Sequence, residues 1–533
     1  MLPFSLVLAA ALATADPGAP TISDRTQGGA EIAARIDQLM STHWQSAGVT
    51  PGEAADDATF LRRVTLDLTG RIPTTAEAQA FAGDATPGKR SAVIRRLMNG
   101  PEYPLHLGRV LEGMIQGRYA GNSDGLAGWL REAAAEGRGW DVVFQQLMLG
   151  PWEAKEQKAA DQFLSKRVRN IDELTNDTAR VFFGVDISCA KCHDHPLVDA
   201  WKQQHYYGLA SFLNRTESKD KQGISEKDAG EVQFVDTKGA RHTAQLMFLT
   251  GQVVTDPKLD RDPRWRDRRE ADKKAGKKLS PAFSPREQLV RTALEEKQFL
   301  SRAIANKLWA WLLGRGLVHP IDQMHADNTS TVPGVLELLA DDAVNNGYRL
   351  DRLVAGIVES RAYQLESVWN TAAAKPAPEH FALANVRALT PEQFAFSLVL
   401  AAGEPKLDES EPEKRSAKYR ELEGQSRGLL KPLDKRTDDF QASVTEALFM
   451  SNNAAVQQVV AATGKNLAAR LAAIADAGEL VDAASWAVLS RGPTAGEREY
   501  LVRWLGNQGD DRPAACARLV WSLSTSAEFR FNH

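Results

Sequence analysis

The stretch Ser188-Cys189-Ala190-Lys191-Cys192-His193-Asp194-His195-Pro196 limits what this chain can build more than any other. It holds two of the three cysteines and two of the ten histidines in 533 residues. Cysteines at i and i+3 face one way on a helical turn, and here a histidine follows the second directly. In Cys-x-x-Cys-His the two thiols add to the vinyl groups of a haem, and the imidazole reaches its iron as proximal ligand. Cys189 and Cys192 are therefore expected to hold haem c covalently, with His193 on the metal and Asp194 and His195 hydrogen bonding nearby. On one side, Leu174, Thr178, Val181 and Phe182 share a face of a helix that Gly184 ends. On the other, Trp201, His205, Leu209 and Phe212 share a face of the next. Two helices thus bracket the motif, and their apolar faces are expected to wall a haem.

The same residues admit other chemistry. Cys189 and Cys192 as thiolates, with two of His193, His195 and His205, would make a tetrahedral zinc set. A disulfide or dithiol is the plainest alternative, and with either zinc or a disulfide in the motif the protein would be an exported helical binding or scaffold protein. Asp194, His195 and Asp199 beside a metal would make a hydrolase. A low-spin haem needs a sixth ligand, for which His205, Met324 and His325 are candidates by chemistry alone; an open position would favour small-molecule binding or peroxide chemistry. The sequence contains no nucleophile elbow, P-loop or dinucleotide glycine fingerprint. Trp201, Trp309 and Trp311 fall on helical stripes and are placed in the core, as is Cys516.

Residues 1–15 are a run of Leu, Val, Phe and Ala ending in Ala13-Thr14-Ala15, the pattern of a secretory signal with its cleavage site, although without Lys or Arg at its start. The apolar part is shorter than the roughly 20 residues that a membrane span needs. The expected place is outside the cytoplasm, in the periplasm, where thioether attachment to haem is assembled. A net charge of −4 gives no case for a nucleic-acid partner.

The periodicity predicts a mainly α, multi-helical protein of two domains with a small β-hairpin region between them. A flexible lead-in (16–30) is followed by a helical domain with the motif (31–215), a hairpin and charged linker (216–283), and a second helical domain (284–533). Thr74 and Glu77 form a predicted capping box, and Pro391 opens a helix. The hairpin is expected to pair Glu231–Val235 with Ala244–Val254. The charge-dense 256–279 segment reads as a solvated linker or helix face, and 403–436 as a surface excursion. Helix-ending turns with an aromatic recur at Gly100-Pro101-Glu102-Tyr103, Ser360-Arg361-Ala362-Tyr363 and Ser526-Ala527-Glu528-Phe529. The Pro-Thr-x-x-Glu box recurs at Pro493–Glu497. Duplication would explain this, and so would common capping chemistry.

Several stretches together resemble the exported, planctomycete-type cytochrome-c-like proteins that pair two domains of unknown function, 1549 and 1553. For the first domain they are Phe60-Leu61-Arg62-Arg63-Val64-Thr65-Leu66-Asp67-Leu68-Thr69-Gly70, Val181-Phe182-Phe183-Gly184, Cys189–Pro196 and His205-Tyr206-Tyr207-Gly208-Leu209. For the second they are Asn306-Lys307-Leu308-Trp309-Ala310, Leu313–Val318, Ser360–Gln364 and Glu528-Phe529. The resemblance implies a mono-haem c-type cytochrome-like protein. Its expected role is electron transfer or haem-linked oxidation with a redox partner.

Overall fold

The computed structural model describes residues 24–117, 120, 124–150, 158–219, 223–258, 263–275, 281–403, 407, 411–429, 453–509 and 511–533. The expected signal peptide and residues 16–23 of the lead-in lie outside these. The described fold is mainly α with four two-stranded antiparallel sheets. No helix among the described residues is long and apolar enough to cross a membrane.

Local chemistry starts the helices where the sequence places them. Asp56 accepts the Thr59 N–H at the head of the Asp57–Thr69 helix, and Thr74 and Glu77 form a reciprocal capping box. Thr390 and Gln393 do the same around Pro391. The helices pack into two cores. One runs from Ile32 to Ala382 and takes in residues on both sides of the charged 256–279 segment, including Leu300, Ile304, Leu308 and Trp309. The other runs from Leu389 to Phe529, with Leu66, Ile72 and Leu105 contributed from the N-terminal region. Cys516 is fully buried in it.

The Asp57–Thr69 helix joins the two cores. Arg62 donates to the Phe529 carbonyl at 2.9 Å and Arg63 to that of Leu365 at 2.8 Å. Asp67 accepts from Arg387 at 2.8 Å, from the Tyr363 hydroxyl at 2.8 Å and from Asn532 at 2.9 Å. Arg387 and Asn532 lie on paired strands, Arg387–Ala388 and Phe531–Asn532.

Three expectations are corrected. Residues 24–30 are anchored rather than flexible, because Arg25 pairs with Asp351 at 2.7 Å and donates to the Ala134 and Ala135 carbonyls. The hairpin pairs Gln233–Val235 with Arg241–Thr243, its turn held by Asp236, which accepts the Lys238 and Ala240 N–H groups. Ala244–Val254 is no single strand: Leu246–Met247 folds back on Val253–Val254 across Gly251 at φ +85°. A further hairpin, Thr216–Lys219 with Gly223–Glu226, precedes both. The charged segment contains a helix, Pro263–Lys274, in keeping with the helix-face reading of its charges. Finally, the 403–436 stretch contains the Pro412–Ser426 helix, which buries Tyr419 and Leu422 and sets the Tyr419 hydroxyl 2.8 Å from the Thr69 carbonyl. Residues 430–436 lie outside the described residues.

The recurring box belongs to a repeated unit. In the first copy, the Asp57–Thr69 helix ends on Gly70 in the left-handed region, Arg71 follows, and Thr74 and Glu77 open Thr75–Gly83; Arg71 bridges Glu77 and Glu102. In the second, Ala477–Leu489 ends on Ser490 at φ +62°, Arg491 follows, and Thr494 and Glu497 open Ala495–Gly506; Arg491 bridges Glu497 and Glu528. Capping alone explains the boxes. It does not explain an arginine joined to a glutamate two helices further on, so the two units share one local arrangement. The turn at Tyr363 shares only its shape.

Candidate functional site

The Ile171–Phe183 helix delivers the motif. Asn170 caps it, and Gly184 ends it at φ +65°. Glycine is required there twice over, since an added Cβ would sit 2.1 Å from the Met324 methyl. Val185 then pairs with Gln323, and Met324 donates its N–H to the Gly184 carbonyl at 3.1 Å. Asp186 fixes the next step: its carboxylate accepts the Ser188 N–H at 3.0 Å and pairs with Arg180 at 2.7 Å. These hydrogen bonds hold its carboxyl below the usual range against the opposing effect of burial.

Ser188–Lys191 forms a 3₁₀ turn, closed by the Cys192 N–H on the Cys189 carbonyl at 3.3 Å. With three residues per turn, i and i+3 eclipse one another, so Cys189 and Cys192 rise from the same side. Both are exposed and neither is in a disulfide. His193 is exposed beside them, its Nδ1 2.7 Å from the Asp194 carbonyl. A carbonyl only accepts, so Nδ1 carries a proton, and in the neutral ring Nε2 is the nitrogen with the free lone pair.

The Gln203–Leu213 helix braces this loop from behind. Tyr207 donates to the Lys191 carbonyl at 3.1 Å, and Gln203 to the carbonyls of Lys191 and Cys192 at 3.3 and 3.2 Å. Lys191 pairs with Asp172 at 2.6 Å, and Tyr206 donates to that carboxylate at 2.7 Å. Tyr207 stacks on Phe234 of the hairpin, ring centroids 4.4 Å apart. The expected haem wall is corrected: Leu174, Phe182, Leu209 and Phe212 turn inward into the first core. Beside the motif the surface shows Leu197, 61% exposed.

The chain-wide comparisons agree with the residue patterns. Residues 35–218 match the family described as PSCyt2, protein of unknown function (DUF1549). Residues 285–505 match PSD1, protein of unknown function (DUF1553). The chain belongs to the two-domain DUF1549–DUF1553 family. No curated protein and no solved structure is similar enough to match.

In this DUF1549 domain the other candidate ligands are spread around the motif. His195 is buried; Nε2 donates to the Asp186 carbonyl at 3.2 Å, Nδ1 accepts from Leu197, and burial lowers its pKa. His205 is buried too, its Nδ1 capping its own helix by accepting the Lys202 N–H at 3.1 Å. Asp194, exposed, lies 3.3 Å from Lys202, and Asp199 is exposed. From the DUF1553 side, Met324 is buried against Gly184, whereas His325 is half-buried and reaches the edge of Trp201, whose opposite neighbour is His195. Among the described residues, no three His, Cys, Asp or Glu side chains converge on a point that could hold a metal ion.

Sequence reasoning missed Asp186, Gln203, Asp172 and Arg180, which shape the loop without bearing the motif. It also missed Lys307, a buried amine that desolvation pushes to about 8, opposed only by the charge of Asp322. The doublet Tyr206-Tyr207 was the one available signal, two donors side by side at the start of a helix.

Proposed function

We propose that this protein is an exported, mono-haem c-type cytochrome-like protein that exchanges electrons, or carries out haem-linked oxidation, with a partner outside the cytoplasm. The observation that carries the reading is His193. Its Nδ1 proton is committed to the Asp194 carbonyl, the arrangement that orients a metal-ligating imidazole and raises its basicity, and Nε2 is left available beside two exposed thiols. The donor set therefore fits haem c: Cys189 and Cys192 would hold the macrocycle by thioether bonds and His193 would ligate the iron. The group would supply a one-electron redox centre. The chain supplies position: Tyr207 and Gln203 fix the carbonyls of the loop, Asp186 fixes its entry, and His195 ties its exit back to Asp186. A zinc set is less well supported, because both ring nitrogens of His195 are engaged by backbone groups, and the Nδ1 of His205 accepts the Lys202 N–H, which leaves its proton on Nε2.

The test is production in an export- and maturation-competent host, with a haem stain of the denatured band and an absorption spectrum. One covalent haem per chain is expected, and Cys192→Ser should abolish or severely reduce it. A denatured band without haem, together with zinc on metal analysis, would show the reading to be wrong.

A further inference from the structure

The repeated unit occurs twice, and among the described residues only its first copy is covered by a further helix. There Arg71 is fully buried between Glu77 and Glu102, and Arg415 of the Pro412–Ser426 helix closes over both, its Nη2 2.9 Å from Glu77 and its Nε 2.8 Å from Glu102. Arg96 adds a contact to Glu77 at 3.3 Å. Three guanidinium groups meet two carboxylates, whose side chains are 12% and 4% exposed.

In the second copy one guanidinium meets two carboxylates. Arg491 spans Glu497 and Glu528 at 2.6–2.8 Å, and Ser522 stands in the place of Arg96. Among the described residues no helix lies over this pair as Pro412–Ser426 lies over the first. Glu497 and Glu528 are 42% and 27% exposed, and besides Arg491 the buried Arg62 guanidinium lies close enough to Glu528 to feel its charge. The adjoining Ala495–Gly506 helix buries none of its residues fully. Leu501, Trp504 and Leu505 are only partly covered, and Tyr500 is 63% exposed. An exposed tyrosine and a half-buried tryptophan beside two part-exposed carboxylates make an interface composition.

We propose that this face docks an arginine-bearing helix of a partner protein, its guanidinium taking on Glu497 and Glu528 the position that Arg415 takes on Glu77 and Glu102. The occupant's chemistry follows from the covered copy, and the inference stands apart from the haem reading.

The probe is a labelled synthetic peptide of residues 411–427, titrated into the full-length protein and followed by fluorescence anisotropy. Saturable binding is expected, weakening at least tenfold with Arg415→Ala in the peptide, with Glu497→Gln/Glu528→Gln in the protein, and with Tyr500→Asp. Gln at position 497 retains the capping box, and Tyr500 is a surface side chain, so these variants keep the fold. Absence of binding, or equal binding to the wild-type protein and both protein variants, overturns the proposal. Sedimentation supplies the other arm: a concentration-dependent dimer abolished by Tyr500→Asp would make a second copy of this chain the occupant, and the partner assignment would fail.

Discussion

His106 sits at the seam of the first repeated unit, with its Nδ1 2.5 Å from where a Cβ on Gly70 would lie. Burial pushes its imidazole down to about 4. The folded protein therefore keeps it neutral while the unfolded chain takes up a proton near pH 6.5, so stability falls as pH drops from about 6.5 to about 4. The loss is on the order of 3 kcal/mol. His106→Gln removes that titration, and denaturant melts at pH 7 and pH 4.5 should differ less in the variant than in the wild type. An unchanged difference would mean that His106 is already charged when folded. The equivalent positions Gly70 and Ser490 give a second prediction. Both occupy the left-handed region, but Ser490 carries a Cβ there and buries an unpartnered hydroxyl. Ser490→Gly should raise stability by about 1 kcal/mol, whereas Gly70→Ser should lower it by more, since His106 blocks the added atoms. Thermal melts of the two variants check the signs.

At the scale of elements, the two copies predict unequal responses to one chemical change. Glu102→Gln leaves Arg71 wholly buried with half of its partners and deprives Arg415 of one of two, at a cost of about 3–5 kcal/mol. Glu528→Gln makes the same change where both partners are about a quarter exposed, so solvent screening limits the cost to about 1 kcal/mol or less. Urea melts of the two variants measure this ratio, and equal losses would refute the burial argument. These elements also mark what was legible in the sequence. The Thr74 and Thr494 boxes and Pro391 could be read because a cap is decided within four residues. The Pro412–Ser426 helix could not: it buries only Tyr419, Leu422 and Ser426, too few apolar positions to set a period, and its remaining anchors are ion pairs with residues some 300 positions away. The motif at Cys189–His193 was legible as donors, and the 3₁₀ turn presents them on one side. Its surroundings were not, because helix periodicity shows that a face is apolar without showing what covers it; Phe182 and Leu209 face the core rather than the motif.

Across the whole molecule, the Asp57–Thr69 helix couples the two cores. Phe60, Leu61, Val64 and Leu68 pack into the first, while Leu66 packs into the second. Asp67, almost fully buried, gathers Arg387, Tyr363 and Asn532 from three later parts of the chain. Asn at this position still accepts hydrogen bonds but leaves Arg387 without its counter-charge. Asp67→Asn should therefore cost about 3 kcal/mol, most of it at the junction between the cores. Tyr363→Phe serves as the control: it removes one hydrogen bond and leaves the ion pair, for a cost of about 1 kcal/mol. Scanning calorimetry distinguishes loss of coupling from general weakening. The wild type and Tyr363→Phe should each unfold in one transition, with Asp67→Asn dividing into two as the core of residues 389–529 melts first. A single transition for Asp67→Asn, shifted no further than that of Tyr363→Phe, would show that apolar contacts alone hold the cores together.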